Sequence, residues 1–330
     1  MRVWCTILFY SVALLGCVDD APRDNPLDPL SPKYKGEGSL IGRTITIKPL
    51  IGDDKITGVA GVVISHLESG IFVITDSAGY FAFNNLQEGL QSFLCTKQNF
   101  TSDTFQVQIQ SRTSTNVVRE LNGAPVVLFQ KILTRKVDHV SQSTEYFVDI
   151  EAEVTDPNED LDSVWFNVVD TMYFPMLNSI GSNKFVASLK KLRFPTNTIS
   201  WLIGKELHIV SRDKNLAINI STPFFITQII ENTSTPLSPS SFESVNHDSL
   251  IFKWKPPDVT FNYTSTVTIY RAGTDDVLSV FPGITSNNEQ YPEIGSVVSI
   301  PIDGNCFWTV TIVDEFGNYS RSKESYFTVQ

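Results

Sequence analysis

From Gly36 to the C-terminus, apolar and polar residues alternate in short runs broken by Gly, Asn, Asp or Pro. Such breaks every ~8–12 residues are the spacing of strands in an all-β chain. A period of two places successive side chains on opposite faces of a strand, so each run predicts a strand with one buried face. Tyr80-Phe81-Ala82-Phe83 shows it plainly, with Phe81 and Phe83 in one phase. The stretch YFVDIEAEVTDPNEDLDSVWFNVV, from Tyr146, reads as a strand, an acidic loop and a second strand, and KELHIVSRDKNLAINI, from Lys205, as two strands joined at Asp213-Lys214-Asn215. No segment sustains helical periodicity beyond a few turns. Strands of this kind bury their apolar faces most economically in antiparallel sandwiches.

Two breaks in composition divide the region, one at Asn122-Gly123-Ala124-Pro125 and one at the linker-like run NTSTPLSPSS, from Asn232 to Ser241. The expected fold class is therefore all-β, with three tandem antiparallel β-sandwich domains over 36–122, 123–231 and 232–330, and the length of 330 residues accommodates them. Ahead of them, Val3 to Leu15 is apolar apart from Thr6 and Ser11. As a helix this stretch rises only about 20 Å, short of the ~30 Å hydrocarbon core of a bilayer but within the range of a secretory signal. Residues 1–16 are accordingly expected to form a signal helix. The prolines at 22, 26, 29 and 32 exclude helix and predict a disordered, semi-rigid tether over 17–35.

The residues joining these two segments, Leu14-Leu15-Gly16-Cys17, resemble the lipobox of bacterial lipoproteins. That resemblance implies cleavage between Gly16 and Cys17, a diacylglyceryl group on the Cys17 thiol, and a membrane partner reached through the lipid. Val18-Asp19-Asp20 resembles the export signal of some Bacteroidetes lipoproteins, which implies the outer membrane or cell surface. In the first domain Thr75, Asp76, Gly79, Phe81, Phe83 and Gly89 match the pattern of the carboxypeptidase regulatory-like domain, a transthyretin-like sandwich. Gln91 replaces its usual aromatic, and Asn99-Phe100 its closing Gly-Tyr. That family's module carries no catalytic machinery, so the resemblance implies a spacer or interaction role. The second domain reads as an immunoglobulin-like sandwich. The third resembles fibronectin type III domains through Trp254, Pro256 and Pro257 and the run from Trp308 to Asn318.

Composition narrows the function classes. A net charge of −11 argues against nucleic acid as a partner, since such binders carry basic patches. The four cysteines and four histidines form no zinc-ligand spacing. Cys95 falls in phase with Phe93, and Cys306 with Trp308, Val310 and Ile312, so each is expected as a free thiol in a separate core. There is neither a Gly-x-Ser-x-Gly elbow nor a phosphate-binding loop, and no enzymatic activity is expected.

Two groups of residues carry candidate chemistry. Asp156, Asn158, Asp160 and Asp162 alternate like the opening of a calcium loop, whose hard oxygens suit Ca²⁺. Leu161 stands where an EF-hand needs Gly and Asn167 where it needs Glu, which leaves a sandwich-edge site completed by Asp213, or else a solvated turn. Trp165 and Tyr173 are candidate glycan contacts, with burial in a sandwich core as the alternative. No other cofactor is expected beyond the covalent lipid at Cys17. The whole reads as a membrane-anchored envelope lipoprotein projecting β-sandwiches for adhesion or scaffolding, with an envelope protein or glycan as partner. The second reading is a carbohydrate-binding accessory lipoprotein of a glycan-uptake system.

Overall fold

The computed structural model describes residues 31, 36–48, 55–168, 172–246, 250–274, 276–285, 293–294 and 304–330. The expected signal helix, Gly16, Cys17 and most of the tether lie outside the described residues. The chain is all-β, built from antiparallel β-sandwiches, and among the described residues helix is confined to short 3-10 turns at Lys191–Arg193 and Ile199–Leu202. Among the described residues, no helix is long and apolar enough to cross a membrane.

The chain divides into two compact units, one taking the described residues up to Ile47 and Ile56–Leu121, the other Asn122–Gln330 together with Lys48 and Lys55. The first holds β1 (Glu37–Lys48), β2 (Lys55–Gly58), β3 (Val63–His66), β4 (Phe72–Ile74), β5 (Tyr80–Gln87), β6 (Gly89–Thr96), β7 (Asp103–Ile109) and β8 (Ser114–Glu120). One sheet runs β2-β1-β5 with β8 parallel to β1, and the other runs β4-β3-β6-β7. Between them lies a core of Leu40, Ile64, Phe81, Phe83, Phe93, Cys95, Phe105 and Ile109. Alternation in β5 buries Phe81 and Phe83, then slips at Asn85, which takes φ 58° and lets Leu86 turn inward. Asn99, which stands in place of the family pattern's glycine, supplies another left-handed residue, φ 62°.

The second unit contains two sandwiches with separate cores. The first of these comprises β9 (Val126–Val137), β10 (Glu145–Thr155), β11 (Leu161–Val168), β12 (Met172–Pro175), β13 (Leu177–Asn178), β14 (Lys184–Lys190), β15 (Leu207–Asp213) and β16 (Ile218–Ile220). Val148, Ile150, Phe166, Phe174, Leu207 and Ile209 lie in its core. The second comprises β17 (Thr235–Ser238), β18 (Glu243–Val245), β19 (Phe252–Lys255), β20 (Tyr263–Arg271), β21 (Val277–Ile284), β22 (Glu293–Ile294), β23 (Gly304–Asp314), β24 (Tyr319–Arg321) and β25 (Ser325–Val329). Trp254, Trp308, Phe252 and Phe327 fill its core, with Cys306 among them. The run that looked like a linker contributes β17, and its Ser234 is buried. Cys95 and Cys306 are free and fully buried, in different cores.

One ten-stranded sheet passes through both sandwiches of this unit, in the order β13-β14-β10-β9-β24-β23-β20-β21, with β25 on β23 and β18 on β25. The seam is the parallel pairing of β9 with β24, Tyr319 opposite Arg135 and Arg321 opposite Val137. Side chains reinforce it. The Asn318 Oδ1 accepts from the Thr134 backbone N–H at 2.8 Å, while its Nδ2 donates to Thr227 Oγ1 and Asp314 Oδ2, both at 2.9 Å. Glu324 accepts from the Val140 N–H at 2.8 Å and from Arg321 at 2.7 Å.

A single hairpin turn recurs across the chain. Asp314 Oδ1 accepts from the backbone N–H groups of Phe316 and Asn318, and Gly317 takes φ 92°. Asp76 does the same for Ala78 and Tyr80, with Gly79 at φ 84°. Asp213 accepts from the Ala217 N–H at 2.8 Å, and the left-handed position falls on Leu216, φ 68°. Asp156 accepts from the Asn158 N–H, with Glu159 at φ 61°. A short carboxylate replaces the hydrogen bonds the backbone cannot make while it reverses.

Candidate metal centre

Two of these turns, at Asp156 and Asp213, meet at one end of the first sandwich of the second unit. β10 ends at Thr155 and hands Asp156 to the turn, β11 opens at Leu161 immediately after Asp160, and β15 ends on Asp213. Antiparallel pairing of β11 with β15 sets Leu161 opposite Asp213. As a result one carboxylate oxygen from each of Asp156, Asp160 and Asp213 lies within 4.8 Å of the others.

The burial of this group is unusual for acids. Asp213 is fully buried and Asp160 is 7% exposed. Asp213 spends one oxygen on the Ala217 N–H and the other on Asn122 Nδ2, at 2.7 Å. Asn215 Nδ2 donates to Asp160 Oδ2 at 2.8 Å, leaving Asp160 Oδ1 buried with no hydrogen-bond partner. Asp156 Oδ2 is likewise buried and unpaired. No Lys or Arg among the described residues forms an ion pair with any of the three. Burial, together with the Asp160 carboxyl facing it, pushes the Asp156 carboxyl up to about 6.

The surrounding loops are tightly held. Asn158 is 3% exposed, and its Oδ1 accepts from the Gly123 N–H at 2.7 Å. A Cβ on Gly123 would come within 2.6 Å of Pro157, so only glycine lets the Asn122-Gly123 segment lie against the turn. A solvent-open depression of about 430 Å³, lined by Thr155, Asp156, Glu159, Leu161 and Asn183, opens beside Asp156. Every donor here is an oxygen, the set that hard divalent cations prefer.

Asp162 lies outside this group. The register shifts between Leu161 and Ser163, which turns Asp162 toward Arg212, whose Nη2 stands 2.6 Å from its Oδ2. That ion pair holds the Asp162 carboxyl below its ordinary range. Asn122 and Asn215, which orient the carboxylates, escaped the sequence reading. Their only mark in the sequence is an amide beside a turn, which is too common to single them out.

Trp165 and Tyr173 share the face of the β12-β11-β15-β16 sheet turned away from the core, because Trp165 pairs with Pro175 and Asn167 with Tyr173; Trp165 is half-buried there, with its Nε1 sealed from solvent. Val164 and Phe166 take the buried phase instead, so Trp165 is not a core residue. Tyr173 is 59% exposed, and the Arg212 guanidinium lies 5.9 Å from the Trp165 ring. In the first unit His66 is buried, with Nδ1 2.6 Å from Ser69 Oγ and Nε2 2.7 Å from Gln91 Oε1 and 3.0 Å from Glu68. These contacts account for both ring nitrogens and tie the β3–β4 turn to β6.

No family model matches the chain, and no curated protein matches it. Among solved structures, the major pilin subunit BcpA of Bacillus cereus aligns at 11% identity and TM-score 0.29, over 89% of this chain and 98% of that one. The fibronectin(III)-like modules of Clostridium thermocellum CbhA align at 14% identity and TM-score 0.29, over 62% of this chain and 94% of that one. A DUF3823 family protein from Bacteroides ovatus aligns at 8% identity and TM-score 0.24, over 57% and 97%. Similarity at this level carries no function across.

Proposed function

We propose that the chain is a non-catalytic, lipid-anchored protein of the bacterial cell envelope that holds its β-sandwiches away from the membrane for adhesion or scaffolding. The observation that carries this reading is the continuous sheet of the second unit, which makes one hydrogen-bonded body of two sandwiches. Such a body suits presentation of a surface at a fixed geometry, and its elements are spent on cores and joints. Anchoring rests on Leu14-Leu15-Gly16-Cys17, which supplies a thiol for acylation, and on the proline-rich stretch behind it. A diacylglyceryl group exceeds the single acyl chain that holds only marginally, at about 0.8 kcal/mol per buried CH₂.

The test is palmitate labelling of wild type and Cys17→Ala in a bacterial host, followed by protease treatment of intact cells. Label confined to wild type, together with protease access to the sandwiches, is expected. Equal labelling of both forms refutes the anchor. The carbohydrate-binding alternative is supported by Trp165 and Tyr173 sharing one sheet face, with Tyr173 exposed. It requires retention of wild type by a polysaccharide in affinity electrophoresis and loss of retention in Trp165→Ala.

A further inference from the structure

The geometry points to a calcium site in the second unit, built by Asp156, Asp160 and Asp213. Acidic turns are common, and a carboxylate that caps its own backbone needs no ion. Asp76 and Asp314 show the ordinary outcome: Asp314 uses its second oxygen on Asn318 Nδ2, and Asp76 sits in an exposed turn. The Asp156–Asp213 pair of turns departs from it. Here three carboxylates from two turns face one another, and two of their oxygens, Asp156 Oδ2 and Asp160 Oδ1, are sealed from water with no donor.

An unpaired buried carboxylate oxygen is costly, and three acids facing one another add mutual repulsion. A divalent cation answers both, because it accepts the free lone pairs and neutralises most of the charge. The donor set is oxygen only, without Cys or His, which selects against zinc and copper. The side chains come from two turns, and a solvent-open depression beside Asp156 offers the ion a path. Ca²⁺ accepts such irregular shells of 6–8 oxygens completed by water, whereas Mg²⁺ demands near-ideal octahedral geometry. Residual hydrogen bonds from Asn122, Asn215 and the Ala217 N–H orient the carboxylates without occupying the two free oxygens. The neighbouring Asp162 is committed to Arg212 and is not a ligand.

The experiment is isothermal titration of the unlipidated mature chain, stripped with a chelator, with CaCl₂ and separately with MgCl₂, paired with thermal melts in chelator and in calcium. Wild type is expected to bind one equivalent of calcium in the range of extracellular modules, about 10⁻⁴–10⁻³ M, and to melt several degrees higher with it. Asp160→Asn and Asp156→Asn keep side-chain volume and are each expected to weaken binding at least ~10-fold, one ligand charge being lost. In chelator they are expected to melt at or above wild type, because repulsion is relieved. Asp162→Asn is expected to bind as wild type does. If one ligand variant fails to fold, the other carries the comparison. Absence of binding heat together with an unchanged melt in millimolar calcium overturns the site. So does unchanged affinity in the folded ligand variants, or tighter binding of magnesium than of calcium.

Discussion

Asn318 carries the joint between the two C-terminal sandwiches, and replacing it with alanine tests that joint quantitatively. The residue is 1% exposed, and its amide makes four bonds to three residues: it accepts from the Thr134 N–H and, at 3.3 Å, from Thr134 Oγ1, and donates to Thr227 Oγ1 and Asp314 Oδ2. Truncation strands the Thr134 N–H and one Asp314 oxygen in a buried place, while Thr227 can rotate to another partner. Each stranded buried group costs about 1–3 kcal/mol, so Asn318→Ala is expected to lose about 2–6 kcal/mol. In a unit of ~150–250 residues, 1 kcal/mol lowers Tm by about 2–4 °C, which predicts a drop of ~4–24 °C. Thermal and urea melts of the mature chain read this directly. As a control, Asn178→Ala removes only an exposed bond to the Ser182 carbonyl and is expected to stay within about 0.5 kcal/mol of wild type. A shift for Asn318→Ala no larger than the control's would refute the claim that this side chain secures the seam.

Other consequences are local. Leu216 occupies the left-handed position that Gly79 and Gly317 fill in the matching turns, at φ 68° and largely exposed, so Leu216→Gly is expected to stabilise the second unit by about 0.5–1 kcal/mol, measured as a raised urea midpoint. Gly79→Ala is expected to cost about 3 kcal/mol or more, since an added Cβ would come within 2.3 Å of the Thr44 carbonyl in a backbone at φ 84°; a melt like that of wild type contradicts it. Burial pushes the Cys95 thiol up to about 12. Between about pH 9 and 12 the unfolded chain loses this proton while the folded one keeps it, so stability contributed here falls as pH rises. In native protein Cys95 should accordingly resist a thiolate-directed alkylating reagent at pH 8 and react on denaturation.

Local devices were readable from residues, while distant pairings were not. Alternation located β5, and Asp76 and Gly79, matched in the first domain's pattern, mark the turn before it, where glycine has a backbone reason. The equivalent turn at Asp213 was harder to see, since Leu216 bears none of the glycine signal and its conformation is imposed by the flanking ladder of β15 and β16. Asp156, Asp160 and Asp213 were legible as oxygen donors, but Asp162 was grouped with them by spacing alone, and a register shift in β11 separates it. Trp165 gave no phase information by itself; Val164 and Phe166, its neighbours, decide that it faces away from the core. The seam between β9 and β24 joins strands far apart in sequence through backbone groups, which every residue possesses, so no residue pattern marks it. The same limit made the run from Asn232 to Ser241 look like a spacer, although β17 uses it.

Differential scanning calorimetry of the mature chain tests most directly whether the second unit is the single body proposed here for presentation. The continuous sheet predicts that its two sandwiches melt together, as one transition whose calorimetric and van't Hoff enthalpies agree, and that Asn318→Ala lowers or splits that transition while leaving the transition of the first unit in place. Independent melting of the two sandwiches in wild type, insensitive to Asn318→Ala, would contradict the account.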